Sequence, residues 1–219
     1  MTNQLSFELP VGVSYGAADF HPGTASETAR AMLTAPERWP NGKLILIGAT
    51  GAGKTHLLQI WAQAQGAAVV DAANLPHRAS TPVAVDGADA VAGNAEAEEA
   101  LFHLHNNLAA EGHALLLTAR QAPPLWGLRL PDLKSRMEAT TVVPIGPPDD
   151  ATLQAILIKL MADRQLIPAP NLVGYLVARM ERSYADAARV IAALDHLSLS
   201  EKRKITTALA ARVLDAAAE

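Results

Sequence analysis

The stretch Gly48-Ala49-Thr50-Gly51-Ala52-Gly53-Lys54-Thr55 reads G-x-x-x-x-G-K-T, a complete phosphate-binding loop. It follows an apolar run, Leu44-Ile45-Leu46-Ile47, and opens into a helical pattern carrying Leu57, Leu58, Ile60, Trp61 and Ala64. Strand, glycine loop and helix in that order are what the chemistry requires. The glycines allow a tight turn and a close approach to phosphate oxygens without an intervening Cβ. Backbone N–H groups from Gly48 through Thr50, Gly51, Ala52 and Gly53 then line an anion-binding hollow at a helix N-terminus, where the helix dipole adds partial positive charge. Lys54 is placed to reach terminal phosphates, and the Thr55 hydroxyl to ligate magnesium. The expected cofactors are ADP or ATP with Mg2+.

A loop of this kind needs a sheet behind it, and the flanking sequence supplies one. Strands are predicted at Lys43–Ile47, Ala67–Asp71, Pro82–Val85, Ala114–Thr118 and Thr140–Ile145. Helices are predicted at Ser26–Leu33, Lys54–Gln65 and Ala95–Glu111, the first capped by Thr24 or Ser26 and ended by Pro36. Short apolar strands alternating with helices indicate an α/β fold with a parallel sheet covered on both faces. Ligands on such sheets bind outside the carboxyl ends of the strands, where this loop falls. At Gly146-Pro147-Pro148-Asp149-Asp150 the pattern changes: the prolines close a strand and the acids cap a helix. Only helical patterns follow, at about Ala151–Arg164, Asn171–Arg182, Tyr184–Leu197 and Ile205–Ala217. The predicted organisation is a tail over residues 1–19, a nucleotide-binding core over 20–147 and a small all-helical lid over 148–219.

Composition narrows the function classes. Half of the 219 residues are hydrophobic but only 4% are aromatic, so the core is aliphatic. The net charge of −4 argues against a non-specific nucleic-acid coat, and Lys202-Arg203-Lys204, the longest basic run, reads as a solvated turn before the last helix. With no cysteine, disulfides, thiolate metal sites and cysteine nucleophiles are excluded. No apolar run is long enough to span a bilayer and no secretory signal opens the chain, so a cytoplasmic location without membrane contact is expected.

A phosphate-loop enzyme needs a second anchor for its metal, commonly an Asp ending a neighbouring buried strand. Val83-Ala84-Val85-Asp86 provides it, making Asp86 the second magnesium-side residue, acting through coordinated water. Hydrolysis further requires a group that orients or deprotonates water. The position after Asp86 is Gly87; Asp89 is the next acid, and a surface or capping role suits it better. Nucleotide binding is thus better supported than autonomous hydrolysis.

From about Phe20 to Leu214 the sequence resembles the DnaA branch of the AAA+ proteins, including the His56-Leu57-Leu58 that continues the phosphate loop. The resemblance implies an AAA+ sheet with a helical lid, His56 as a nucleotide-site residue and Thr118 as a phosphate sensor at the end of the fourth strand. It also implies that Leu133-Lys134-Ser135-Arg136-Met137-Glu138 carries an arginine finger, Arg136, aimed at nucleotide on a neighbouring subunit. Where the branch offers a lid arginine to the phosphates, this sequence has Ala185; Arg182 or Arg189 could compensate. No helix-turn-helix DNA-binding segment follows the lid, so direct sequence-specific DNA binding is not expected. The tail carries Gln4-Leu5-Ser6-Phe7-Glu8-Leu9, similar to peptides that dock in the DNA polymerase sliding clamp, with Gln4, Leu5, Phe7 and Leu9 as contacts.

The implied partners are therefore DnaA and the sliding clamp, with a homo-oligomer left open. Three functions are compatible: an activator of ATP hydrolysis by DnaA, an autonomous ATPase of helicase-loader type, and a DnaA-recruiting factor that does not bind the clamp.

Overall fold

The computed structural model describes residues 24–201 and 204–216. Five strands, β1 (Lys43–Ile47), β2 (Ala68–Asp71), β3 (Val83–Asp86), β4 (Leu115–Ala119) and β5 (Thr141–Pro144), form one parallel sheet in the order β2-β3-β4-β1-β5. Strand alternation divides its side chains between two cores. On one face Leu44, Leu46, Ala84, Leu116 and Val143 pack under helices α1 (Thr24–Leu33) and α2 (Lys54–Gln65). On the other, Ile45, Val83, Val85, Leu115 and Leu117 pack under α3 (Ala95–Ala110) and α4 (Pro131–Glu138). Each fully buried Leu, Ile or Val contributes about 1.5–3 kcal/mol by leaving water, and this aliphatic double core is the main support of the sheet. Two tryptophans serve it: Trp39 and Trp61 stack with centroids 5.3 Å apart, and the Trp39 Nε1 donates to Met32 O.

Helix α3 begins on Asn94, whose side chain accepts from Glu96 N and Ala97 N and so satisfies two otherwise orphaned amides. The last four helices, α5 (Asp150–Asp163), α6 (Leu172–Val177), α7 (Tyr184–Glu201) and α8 (Thr207–Asp215), enclose a third core around Leu157, Leu172, Leu176, Val190 and Leu194. Asp149 caps α5, accepting from Thr152 N, as the Pro-Pro-Asp-Asp signal predicts. Tyr184 packs against both this core and the one under α2, and so links lid to sheet.

Three expectations differ from the structure. Arg136 lies on a helix, α4, where no regular element was expected; Pro131 occupies its first turn, where the missing N–H costs nothing. The helix predicted over Asn171–Arg182 stops at Val177. Strand β2, expected to be covered on both faces, is an edge strand with Ala68, Val69 and Asp71 exposed. Lys202 and Arg203 of the basic run, and the whole tail with Gln4, Leu5, Phe7 and Leu9, lie outside the described residues. Among the described residues no helix is long and apolar enough to cross a membrane.

Candidate functional site

The carboxyl ends of β1, β3 and β4 converge on the loop 48–53. Gly48 N donates to Ala119 O at 3.2 Å, tying the loop's first residue to the last residue of β4. Gly51 and Gly53 both have positive φ, +77° and +93°, which an L side chain adopts only with strain. The side chain of Lys54 curls back over the loop, and its ammonium donates to Gly48 O at 2.8 Å and Ala49 O at 2.9 Å. Burial lowers the Lys54 pKa, the negative charges of Asp86 and Asp89 oppose that shift, and the Arg120 charge reinforces it.

Asp86 is the hub of the site. Thr55 Oγ1 donates to its Oδ2 at 2.9 Å and Thr118 Oγ1 to its Oδ1 at 2.5 Å, while Gly87 N donates to Thr118 Oγ1 at 2.9 Å. One carboxylate thereby joins the ends of β3 and β4 to the first turn of α2. The arrangement depends on strand order: β4 lies between β3 and β1, so Thr118 sits beside Asp86. Thr118 is fully buried; its hydroxyl oxygen accepts from Gly87 N and its proton goes to Asp86, so both halves of the group are satisfied.

Magnesium binds through one or two protein groups together with waters and phosphate oxygens. A hydroxyl and a carboxylate in contact at the end of a phosphate loop fit that donor set, so Thr55 and Asp86 are the groups that would hold the ion. Bound there, it would neutralise charge shared between adjacent phosphates.

Asp89 is engaged elsewhere: its Oδ2 accepts from Arg120 N at 3.3 Å and from Arg120 Nε at 3.2 Å. Neither candidate lid arginine is free. Arg182 bridges to Asp150 at 2.7 Å, and Arg189 pairs with Asp186 one turn before it. Ala185 instead packs on the loop. A Cβ built on Gly51 would lie 2.8 Å from Ser183 Cβ and 3.1 Å from Ala185 Cβ, and one on Gly53 would lie 3.0 Å from the Tyr184 ring. Tyr184 N donates to Gly51 O at 2.8 Å. His56 is half-buried on α2, and Thr50 is exposed at the crest of the loop while Ala52 is buried beneath it.

Arg136 is distant in sequence from all of this. It is exposed on α4, and its guanidinium lies 5.2 Å from the centroid of the Phe102 ring on α3. Among the described residues no carboxylate pairs with it.

One buried carboxylate has no counterpart in the sequence reading. Glu98, only 1% exposed, accepts from Gly93 N at 2.9 Å through Oε1, and from Arg129 N and Leu130 N at 2.9 and 2.7 Å through Oε2. Burial alone would raise its pKa, but the three amides hold it below the usual carboxylate value. It thereby fixes the segment that leads into α4 and Arg136.

No family model matches the sequence. The structure is similar to domain III of the replication initiation protein DnaA from Thermotoga maritima, with a TM-score of 0.81 over 94% of this chain and 98% of that one, at 19% identity. It is similar to AMPPCP-bound DnaA from Aquifex aeolicus over 87% of this chain and 68% of that one, with a TM-score of 0.70 and 18% identity. A Thermotoga maritima RuvB variant is similar over 90% and 70%, with a TM-score of 0.67 and 15% identity. At such identities the shared property is the fold, a DnaA-like AAA+ architecture with a helical carboxyl-terminal subdomain.

Proposed function

We propose that this protein is a nucleotide-binding regulator of replication initiation that promotes ATP hydrolysis by DnaA and is held at the sliding clamp by its N-terminal tail. This is the role of the Hda type of DnaA regulator. Loop 48–53 with Lys54, His56 and Thr118 binds ADP or ATP, and Thr55 and Asp86 bind Mg2+. Residues 20–147 act as the nucleotide core and 148–219 as the lid.

The observation that carries the activator reading is Arg136: an exposed guanidinium on a helix pinned at its start by Glu98, stacked on Phe102 and without an acidic partner among the described residues. A cation so displayed is available to a second subunit, where it stabilises charge on a transferring phosphoryl group. Arginine fingers supply about 10³–10⁵-fold in other NTPases. The autonomous-ATPase alternative fares worse in this site. Gly87 follows Asp86, and the nearest further acid, Asp89, is bound to Arg120. Support for the clamp contact comes from the tail sequence around Gln4, Leu5, Phe7 and Leu9.

The deciding experiment measures ATP hydrolysis by DnaA with this protein and DNA-loaded clamp, using the intact protein, Arg136→Ala, and Gln4→Ala with Phe7→Ala. Stimulation by the intact protein, lost in Arg136→Ala despite retained clamp binding, is the expected result. Stimulation that survives Arg136→Ala would rule out the finger. Turnover without DnaA that is abolished by Lys54→Ala would favour the autonomous enzyme, and clamp-independent DnaA binding without stimulation the recruiting factor.

A further inference from the structure

We propose that Arg120 is a second cationic ligand for the terminal phosphate of a bound nucleoside triphosphate, oriented by Asp89. The inference rests on the nucleotide-binding reading and adds to it a residue that selects triphosphate over diphosphate.

Placement is the first argument. Arg120 directly follows Ala119, whose carbonyl accepts from Gly48 N at the start of the phosphate loop. It comes two residues after Thr118, which touches the magnesium-side Asp86. The residue thus leaves the sheet between the loop and the metal carboxylate. Its charge also acts on Lys54, adding slightly to the lowering of the lysine pKa.

Geometry is the second. Asp89 is mostly buried, with its side chain 12% exposed, and holds Arg120 by the backbone amide and by Nε. A guanidinium carries five N–H donors in a rigid fork. Gripped at Nε, it keeps both terminal nitrogens for another acceptor, and among the described residues they have none. The Arg120 side chain is 69% exposed, which leaves the fork open to solvent.

Charge is the third. A magnesium-bound triphosphate still carries net negative charge beside Asp86 and Asp89, and Lys54 offsets only part of it. In the lid, Arg182 and Arg189 pair with Asp150 and Asp186, acids of their own subdomain. Among the described residues, Arg120 is a cation at the end of β4 with both terminal nitrogens to spare. Bidentate arginine–phosphate bonding suits a terminal phosphate, which presents more free oxygens than an internal one.

Titration calorimetry with ATP and with ADP, each with Mg2+, tests the proposal on the intact protein, Lys54→Ala, Arg120→Ala, Arg120→Lys and the double variant Arg120→Ala with Asp89→Ala. Arg120→Ala is expected to weaken ATP about tenfold while changing ADP by less than about threefold. Arg120→Lys should recover part of the loss. The double variant separates a ligand from a shield that merely masks the Asp89 charge: ATP affinity stays low if Arg120 is a ligand. Restoration of ATP affinity in the double variant would overturn the proposal. So would an unchanged ATP-to-ADP ratio in Arg120→Ala when Lys54→Ala abolishes binding, and that result would leave the nucleotide site itself standing. No binding of either nucleotide by the intact protein would remove both readings.

Discussion

The backbone amide of Tyr184 donates to the carbonyl of Gly51 at 2.8 Å, so the first residue of α7 is bonded directly to the phosphate loop. Lid and loop therefore share a contact surface made of Ser183, Tyr184 and Ala185 on one side and two glycines on the other. Gly51→Ala tests it. A Cβ there meets Ser183 Cβ at 2.8 Å and Oγ at 2.9 Å, on a backbone whose φ of +77° already disfavours an L residue. The left-handed conformation costs about 1–2 kcal/mol, so a drop in melting temperature of roughly 2–8 °C is expected before any cost of displacing the lid. A drop confined to that range would mean that α7 gives way to the added methyl at no cost and does not rest firmly on the loop.

Asp86 combines two roles that substitution can separate. Asp86→Ala removes the acceptor of both Thr55 and Thr118 and leaves the proton of the fully buried Thr118 hydroxyl without an acceptor, at about 1–3 kcal/mol. Asp86→Asn keeps a carbonyl oxygen in place and should lose less stability. Both variants should lose the difference in nucleotide affinity between magnesium and EDTA buffers. Calorimetric titration in the two buffers checks this, and a magnesium effect that persists in Asp86→Asn would displace Asp86 from the metal.

What the sequence made legible here was local. The order of β1, the glycine loop and α2 is encoded in consecutive residues, and Asp86 announces itself by ending a short apolar strand. Helix α4 escaped because only Leu133 and Met137 of its eight residues are buried, a stripe of two that sets no period. Glu98 escaped for a different reason: beside Glu96 and Glu99 it reads as one more acid on a solvated first turn. Its amide partners Arg129 and Leu130 lie 31 and 32 residues away, and only the packing of α3 against the segment before α4 brings them together. The seat of the lid on Gly51 is likewise a long-range contact, and neither end of it has a residue type that reports the other.

Glu98 should matter to stability and, through α4, to the action of Arg136. Glu98→Ala leaves the amides of Gly93, Arg129 and Leu130 without their acceptor, for an expected loss of about 2–4 kcal/mol. Glu98→Gln is the sharper probe, since its NH2 group cannot accept and must face a backbone N–H. Stimulation of DnaA hydrolysis should fall in Glu98→Gln at a temperature where the variant is still folded by circular dichroism. Full stimulation there would show that α4 keeps its place without this carboxylate.

His105 gives the fold an acid-sensitive point. It is 7% exposed on α3, its Nδ1 has no hydrogen-bond partner among the described residues, and its pKa is lowered to about 4 by burial, with the Lys43 and Arg136 charges adding to the effect. Between the ordinary histidine value of 6.5 and about 4 the unfolded chain takes up a proton that the folded chain refuses. Stability therefore falls as pH is lowered through that window, by at most about 1.4 kcal/mol per pH unit from this group. The depressed pKa of Glu98 acts in the same direction at still lower pH, because protonation removes a stabilising carboxylate. His105→Leu eliminates the histidine contribution alone. Urea unfolding at pH 7, 6 and 5 should show a steeper loss of stability in the intact protein than in the variant. Parallel pH profiles would mean that His105 can be protonated in the folded state, and that the core beneath α3 admits the charge.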